Sequence, residues 1–226
     1  MVPTIDQVRM LADACEQFKD TRAPGGYPNG LALCIVDSVQ STGVTYSSVE
    51  KVLGRYCDFR RDQAHDPYTD GAHELVSTFD ELGGPAAWAS RIGNQNKTST
   101  HAGAPLKAVA IHQAANALID RLVLTAQDLR DAAESPARLN EIRTSWLNVS
   151  GQKSGVTWHY VQMLAGIPGV KPDRMIMRFV ADSLQLPRRQ VSSQFALEAV
   201  QSAAQALNIS PTDLDHGIWQ WQRRRR

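Results

Sequence analysis

The chain has 226 residues and a mass of 24.9 kDa. At ~100–200 residues per domain that is one large domain or two small ones, and it is long enough to bury ~70% of its unfolded surface without a disulfide or metal staple. Hydrophobic residues are 42% and charged residues 21% of the total, which excludes wholesale disorder, and 24 Lys and Arg against 23 Asp and Glu leave a formal charge of +1 that by itself points to neither a nucleic-acid nor an acidic partner.

Helical periodicity dominates from the start. Thr4 to Lys19 opens on a capping box, Thr4 with Gln7, and repeats Val8, Leu11, Ala12, Cys15 and Phe18 along one face. A Pro- and Gly-rich loop, 23–30, precedes Leu31-Ala32-Leu33-Cys34-Ile35-Val36. Such a run suits a buried strand or a buried helix, and the lack of a partner run elsewhere favours the helix. Thr45–Tyr56 is helical, Arg60–Gly71 a polar loop, and Ala72–Leu82 a helix stopped by Gly83-Gly84-Pro85. Ala86–Ile92 is short and helical, and 93–104 is a loop rich in Asn, Thr, Ser and Gly. Helices are then expected over Lys107–Leu122, Ala126–Ala133, Pro136–Leu147, Val156–Gly166, Pro172–Leu184, Val191–Leu207 and Pro211–Gln222, followed by the basic tail 223–226. The pattern is all-α, about eleven short helices with no hairpin signal.

Cys15, Cys34 and Cys57 are odd in number and widely spaced, with no CxxC, so buried reduced thiols are expected rather than a disulfide framework, zinc ribbon or iron–sulfur cluster. His65, His73, His101 and His112 have no metal-ligand spacing. Met1 to Asp6 has no basic segment leading into an apolar core, and no apolar run nears ~20 residues, so neither a signal peptide nor a membrane partner is expected.

Two segments carry candidate chemistry. The first is Asn148-Val149-Ser150-Gly151-Gln152-Lys153-Ser154-Gly155-Val156. Its glycines let backbone amides approach a phosphate, the following helix N-terminus adds positive charge, and Lys153 adds a formal one. The same residues also suit an ordinary αα-corner with glycine caps. The second is Lys171-Pro172-Asp173-Arg174-Met175-Ile176-Met177-Arg178. Pro172 suits a first helical turn, where the amides hold the Asp173 carboxylate ionised. Asp173 is then either a cap or a charge facing a cation.

The order of these features resembles the helix-hairpin-helix base-excision DNA glycosylases, the superfamily of endonuclease III and the alkyl-base glycosylases. Leu33–Thr42, with Val39-Gln40-Ser41, resembles the helix end and Gln-containing loop that probe the duplex. Gly103–Leu118, with Lys107-Ala108, resembles the helix before the hairpin, and 148–156 resembles the hairpin itself. Asp173 to Arg178 resembles the segment with the catalytic aspartate, Ile176 and Arg178 falling at the expected offsets. The likeness spans 30–221. Three residues separate Gly151 from Gly155, one more than the usual hairpin form. The lyase lysine would fall near Thr157, Trp158 or His159, and none is a lysine. The C-terminal cluster cysteines are absent.

The resemblance implies two helical subdomains, 1–29 with 164–226 and 30–163, with a DNA-binding cleft. It implies a monofunctional, cofactor-free and metal-free glycosylase that removes a damaged or modified base from double-stranded DNA. Asp173 would be catalytic, stabilising the sugar cation and orienting water. Gln40 would fill the gap left by the flipped nucleotide, and Gly151, Gln152, Lys153, Ser154 and Gly155 would hold the DNA backbone. Asp37, Trp158, His159 and Tyr160 would line the base pocket, although helical spacing keeps the last three from all facing one way, which puts Tyr160 or Trp158 in the core, and Asp37 suits a buried cap equally well. A cytoplasmic, nucleoid-associated monomer is expected. The rivals are a non-catalytic helix-hairpin-helix DNA-binding protein and a glycosylase acting on modified bases of phage DNA in antiviral defence. The arginine tail is either a phosphate contact or a solvated end.

Overall fold

Thr4 opens the first helix as its capping box predicts. Its hydroxyl accepts from the Gln7 amide at 3.3 Å, and the Gln7 side chain accepts from the Thr4 amide at 2.9 Å. The computed structural model describes residues 2–225, and Met1 and Arg226 lie outside the described residues. Among the described residues the regular elements are twelve α-helices and two 3-10 turns, with one isolated antiparallel bridge between Lys97 and Leu106. The protein is all-α.

In chain order, α1 is Ile5–Cys15, tightening into a 3-10 turn at Glu16–Phe18. The ambiguous apolar run is a helix, α2 (Leu31–Gln40), and all ten of its residues are buried. It is followed by α3 (Tyr46–Asp62), α4 (Ala72–Leu82) and α5 (Pro85–Arg91). Next come α6 (Lys107–Ile119), α7 (Ala126–Ala133, capped by Thr125) and α8 (Pro136–Leu147, capped by Ser135). The chain then forms α9 (Val156–Leu164) and α10 (Arg174–Ser183), a 3-10 turn at Arg188–Gln190, α11 (Ser193–Ala206) and α12 (Pro211–Arg224).

Several helix ends differ from the sequence expectation by one to three residues, and two differences have a clear cause or bear on the site. Residues 60–62 continue α3 instead of opening a loop. Arg60 makes two hydrogen bonds to Asp70, at 2.7 and 3.1 Å, both side chains are buried, and Tyr56 donates to the same carboxylate at 2.8 Å. That long-range pair holds the last turn, where the local sequence is merely polar. Pro172 lies outside α10, and Asp173 is the N-cap residue, not a first-turn residue.

The chain divides into two compact units: Gly26–Ile167, and Met1–Gly25 with Pro168–Arg226. Residues 26–29 and 164–167, across the expected borders, belong to the first of these. The Tyr27 amide donates to the Leu164 carbonyl at 2.7 Å, and Arg130 donates to the carbonyls of Pro28 and Ala165, both at 2.6 Å. Gly26, at φ +63°, is required there, because a Cβ would sit 2.4 Å from the Leu164 oxygen.

In the unit 26–167, α2 packs on α3, α4, α6 and α9. Leu33, Ile35, Val36, Tyr56, Trp88 and Trp146 are among its core residues. The other unit packs α1 on α11 and α10 on α11 and α12, around Leu11, Phe179, Phe195 and Leu214. All three cysteines are free and buried. Burial pushes the Cys15 thiol up to about 12 and raises Cys34 and Cys57 as well, so all three are inert thiols. Among the described residues no helix is long and apolar enough to cross a membrane.

Candidate functional site

The connection between α8 and α9 is the segment the sequence singles out. Gly151 and Gly155 sit at φ +79° and +75°, where L side chains are strained. At Gly151 a Cβ would also sit 2.6 Å from the Thr98 Cβ, so the turn lies directly against the 93–106 loop. Inside the turn a chain of side chains closes on itself. Trp146 Nε1 donates to Thr157 Oγ1 at 3.0 Å, Thr157 donates to Gln152 Oε1 at 2.6 Å, and Gln152 Nε2 donates to the Ser150 carbonyl at 3.0 Å. Gln152 is therefore buried in the scaffold of the turn, and its side chain is committed inward rather than to DNA. Gly151, Lys153 and Ser154 are exposed, and Gly155 is buried. Gly155 is the N-cap of α9 and supplies no side-chain cap, leaving the first amides of α9 to be satisfied by something else.

Behind this turn, α9 presents the three aromatic residues differently. Trp158 is buried against Trp146, ring centroids 6.0 Å apart, and belongs to the core rather than to a pocket wall. His159 is half-buried, and burial, with Arg143 nearby, lowers its pKa, so it is neutral at physiological pH. Tyr160 is half-buried and hydrogen-bonds Tyr46.

Tyr46 leads to Asp37. Asp37 Oδ2 accepts from Tyr46 at 3.2 Å and, more loosely, from Tyr27 at 3.4 Å. Asp37, Tyr46 and Tyr160 thus form one hydrogen-bonded line across α2, α3 and α9. Burial first, and the Asp37 charge second, raises the pKa of both Tyr27 and Tyr46, so both stay protonated donors. Sequence reasoning missed these two tyrosines. They lie 10 and 9 residues from Asp37, on either side of it along the chain, and only the packing of α2 brings them to one carboxylate oxygen.

Gln40 is also buried. Its Oε1 accepts from Asn94 at 3.2 Å, and its Nε2 is buried without a hydrogen-bond partner. Buried Lys107 donates from Nζ to the carbonyls of Gln40 at 2.8 Å and Thr42 at 2.6 Å, neutralising the negative end of the α2 dipole. A duplex-probing Gln40 side chain would first have to leave Asn94.

In the other unit, Asp173 caps α10. Oδ1 accepts from the amides of Met175 at 2.7 Å and Ile176 at 3.2 Å, and Oδ2 takes no part in the cap. The residue is half-buried. Asp215, on α12, is buried and accepts from the Lys171 amide at 2.9 Å. Burial, with the Asp173 charge adding and the Lys171 amide opposing, pushes the Asp215 carboxyl up to about 8. The pairing of Asp215 with Lys171 beside Asp173 is one that sequence reading missed, because Asp215 lies 42 residues from Asp173. At the end of α12, Arg223 lies 5.2 Å over Trp219 and Arg225 4.2 Å over Trp221, so these arginines stack on tryptophans. Arg226 lies outside the described residues. Among the described residues no three His, Cys, Asp or Glu side chains cluster to hold a metal ion.

A family model described as "Domain of unknown function (DUF8548)" matches residues 9–223. No curated protein and no solved structure matches the chain.

Proposed function

The chain belongs to the DUF8548 family, and we propose that it is a monofunctional DNA glycosylase that hydrolyses the N-glycosidic bond of a flipped, damaged or modified base. The observation that carries this reading is the Asp173 carboxylate, fixed by two amides through one oxygen with the other left out of the cap. A carboxylate so held stabilises positive charge without reorganising as the charge develops. The C1′–N bond breaks with its electron pair going to the base, and the sugar carbon becomes cationic beside Oδ2. Water then adds to that carbon, and its proton passes to the departing base. The product is an abasic site, because the positions after the hairpin hold Thr157, Trp158 and His159 and offer no amine for an imine.

The α8–α9 turn serves the phosphate backbone. Lys153 supplies charge, and Gly151 and Ser154 expose backbone that can come close to a strand. The buried, Asn94-held side chain of Gln40 favours a second reading, a helix-hairpin-helix protein that binds duplex DNA without extruding a base. One experiment separates the two. Duplexes carrying deaminated, alkylated, oxidised or otherwise modified bases are incubated with the protein, and released bases are identified by mass. Free base with strand breaks appearing only after alkali, and no borohydride-trapped adduct, is the expected result. Binding without release from every duplex selects the second reading, and a strong trapped adduct overturns the monofunctional mechanism.

A further inference from the structure

The segment entering α10 is held from one side. Residues 169–173 alternate: Val170 and Pro172 are buried, whereas the backbone of Gly169 and Lys171 turns to α12. Thr212 Oγ1 accepts from the Gly169 amide at 3.0 Å and donates to the Gly169 carbonyl at 3.3 Å. Asp215 Oδ1 accepts from the Lys171 amide at 2.9 Å. The Lys171 carbonyl in turn accepts from the Asp173 amide at 2.7 Å. One residue, Lys171, therefore links the buried acid of α12, through its amide, to the N-cap of α10, through its carbonyl.

We propose that Asp215 is the positioning residue of Asp173, fixing the backbone of Lys171 so that the Asp173 carboxylate is held at one place and angle at the start of α10. The inference rests on the glycosylase reading for its activity test, but its geometry stands apart from it. A buried carboxylic acid is a costly way to hold an amide, since burying a polar group costs free energy that one hydrogen bond only partly offsets. Its use here is explained by what it leaves undisturbed. Kept protonated by burial at neutral pH, Asp215 accepts the amide hydrogen bond without adding a second charge beside Asp173. Thr212 steadies the same segment two residues earlier, at Gly169.

The test compares Asp215→Asn, which matches the protonated acid in shape and keeps an acceptor for the Lys171 amide, with Asp215→Leu, which removes it. Thr212→Val serves as a milder variant should Asp215→Leu fold poorly. Three quantities are read: single-turnover base release, affinity for a duplex carrying a tetrahydrofuran abasic analogue, and amide hydrogen exchange over 169–173. Asp215→Asn should release base within about twofold of the parent. Asp215→Leu should lose about tenfold to a hundredfold of the rate, as small misplacements of a reacting group do, with affinity unchanged and exchange raised only over 169–173. Thr212→Val should fall between them. Full activity in Asp215→Leu, or failure of Asp215→Asn to restore the rate, overturns the proposal. So does increased exchange spread over α10, α11 and α12, which would mark a general packing role. If the parent protein releases no base from any duplex, the glycosylase reading fails, and the exchange data alone decide: protection lost only at 169–173 supports positioning, and any other pattern refutes it.

Discussion

Asp37 and Asp173 are both carboxylates at helix ends, and both were read as site residues, yet the protein treats them in opposite ways. Asp37 lies in the last turn of α2, where a negative charge opposes the helix dipole, and it is fully buried with tyrosine hydroxyls on one oxygen. Asp173 lies at the start of α10, where the dipole favours it, half-buried, with amides on one oxygen and the other outside the cap. The first needs its neighbours to be tolerated at all, and the second is stabilised by its position. A carboxylate that already tolerates its charge is the one that can respond to a cation arriving beside it. Asp37 instead ties α2 to α3 and, through Tyr46 and Tyr160, to α9.

The sharpest way to break this comparison is Asp173→Asn. Asn caps a helix about as well as Asp, so melting should stay within a few tenths of a kcal/mol. Base release should nonetheless fall by ~10²–10³-fold, the usual loss when a preorganised electrostatic group is removed. A rate near that of the parent would show that the α10 cap is only a cap.

Asp37→Leu should do the reverse. Removing the carboxylate strands the half-buried hydroxyls of Tyr27 and Tyr46, at up to ~1–3 kcal/mol for each group left unsatisfied, and denaturant unfolding should report the loss. Unchanged stability would place Asp37 in a binding pocket rather than a structural line.

A pH-dependent effect belongs to Asp215. Its folded-state carboxyl is raised to about 8, above the ordinary carboxyl range of the unfolded chain. Folding therefore takes up a proton between those values. The stabilisation is full below the unfolded pKa and is lost as pH rises through about 8. Thermal melts from pH 4 to 9 should fall over that window in the parent and fall less in Asp215→Asn. Parallel curves would mean that Asp215 is ionised at neutral pH.

The smallest change expected is Lys153→Ala. Loss of one phosphate contact should weaken duplex binding about equally for all sequences and reduce the slope of log affinity against log salt by about one. Fluorescence anisotropy over a salt series measures it. A loss specific to one base would move Lys153 from the backbone to the base.

What could be read from the sequence was local. Ala72–Leu82, Ala126–Ala133 and Pro136–Leu147 begin and end where Gly83, Thr125 and Pro136 say they should, because caps and 3.6-residue periodicity act within a turn or two. The glycine-bearing turn at 148–155 and the helix-end aspartate at 173 were legible for the same reason. The extra turn of α3 was not, since Asp70 holds it from outside the helix. The burial of Gln152 and Gln40 was equally invisible, as were the tyrosines around Asp37 and the acid beside Lys171, whereas helical spacing already placed Trp158 or Tyr160 in the core. Sequence alone determined that the chain is helical and where its acids and glycines fall. The tertiary structure decided which acid is locked in a core, which is kept protonated and which is left with a free oxygen, because desolvation and hydrogen bonding at a carboxylate come from residues that are distant along the chain and adjacent only after packing.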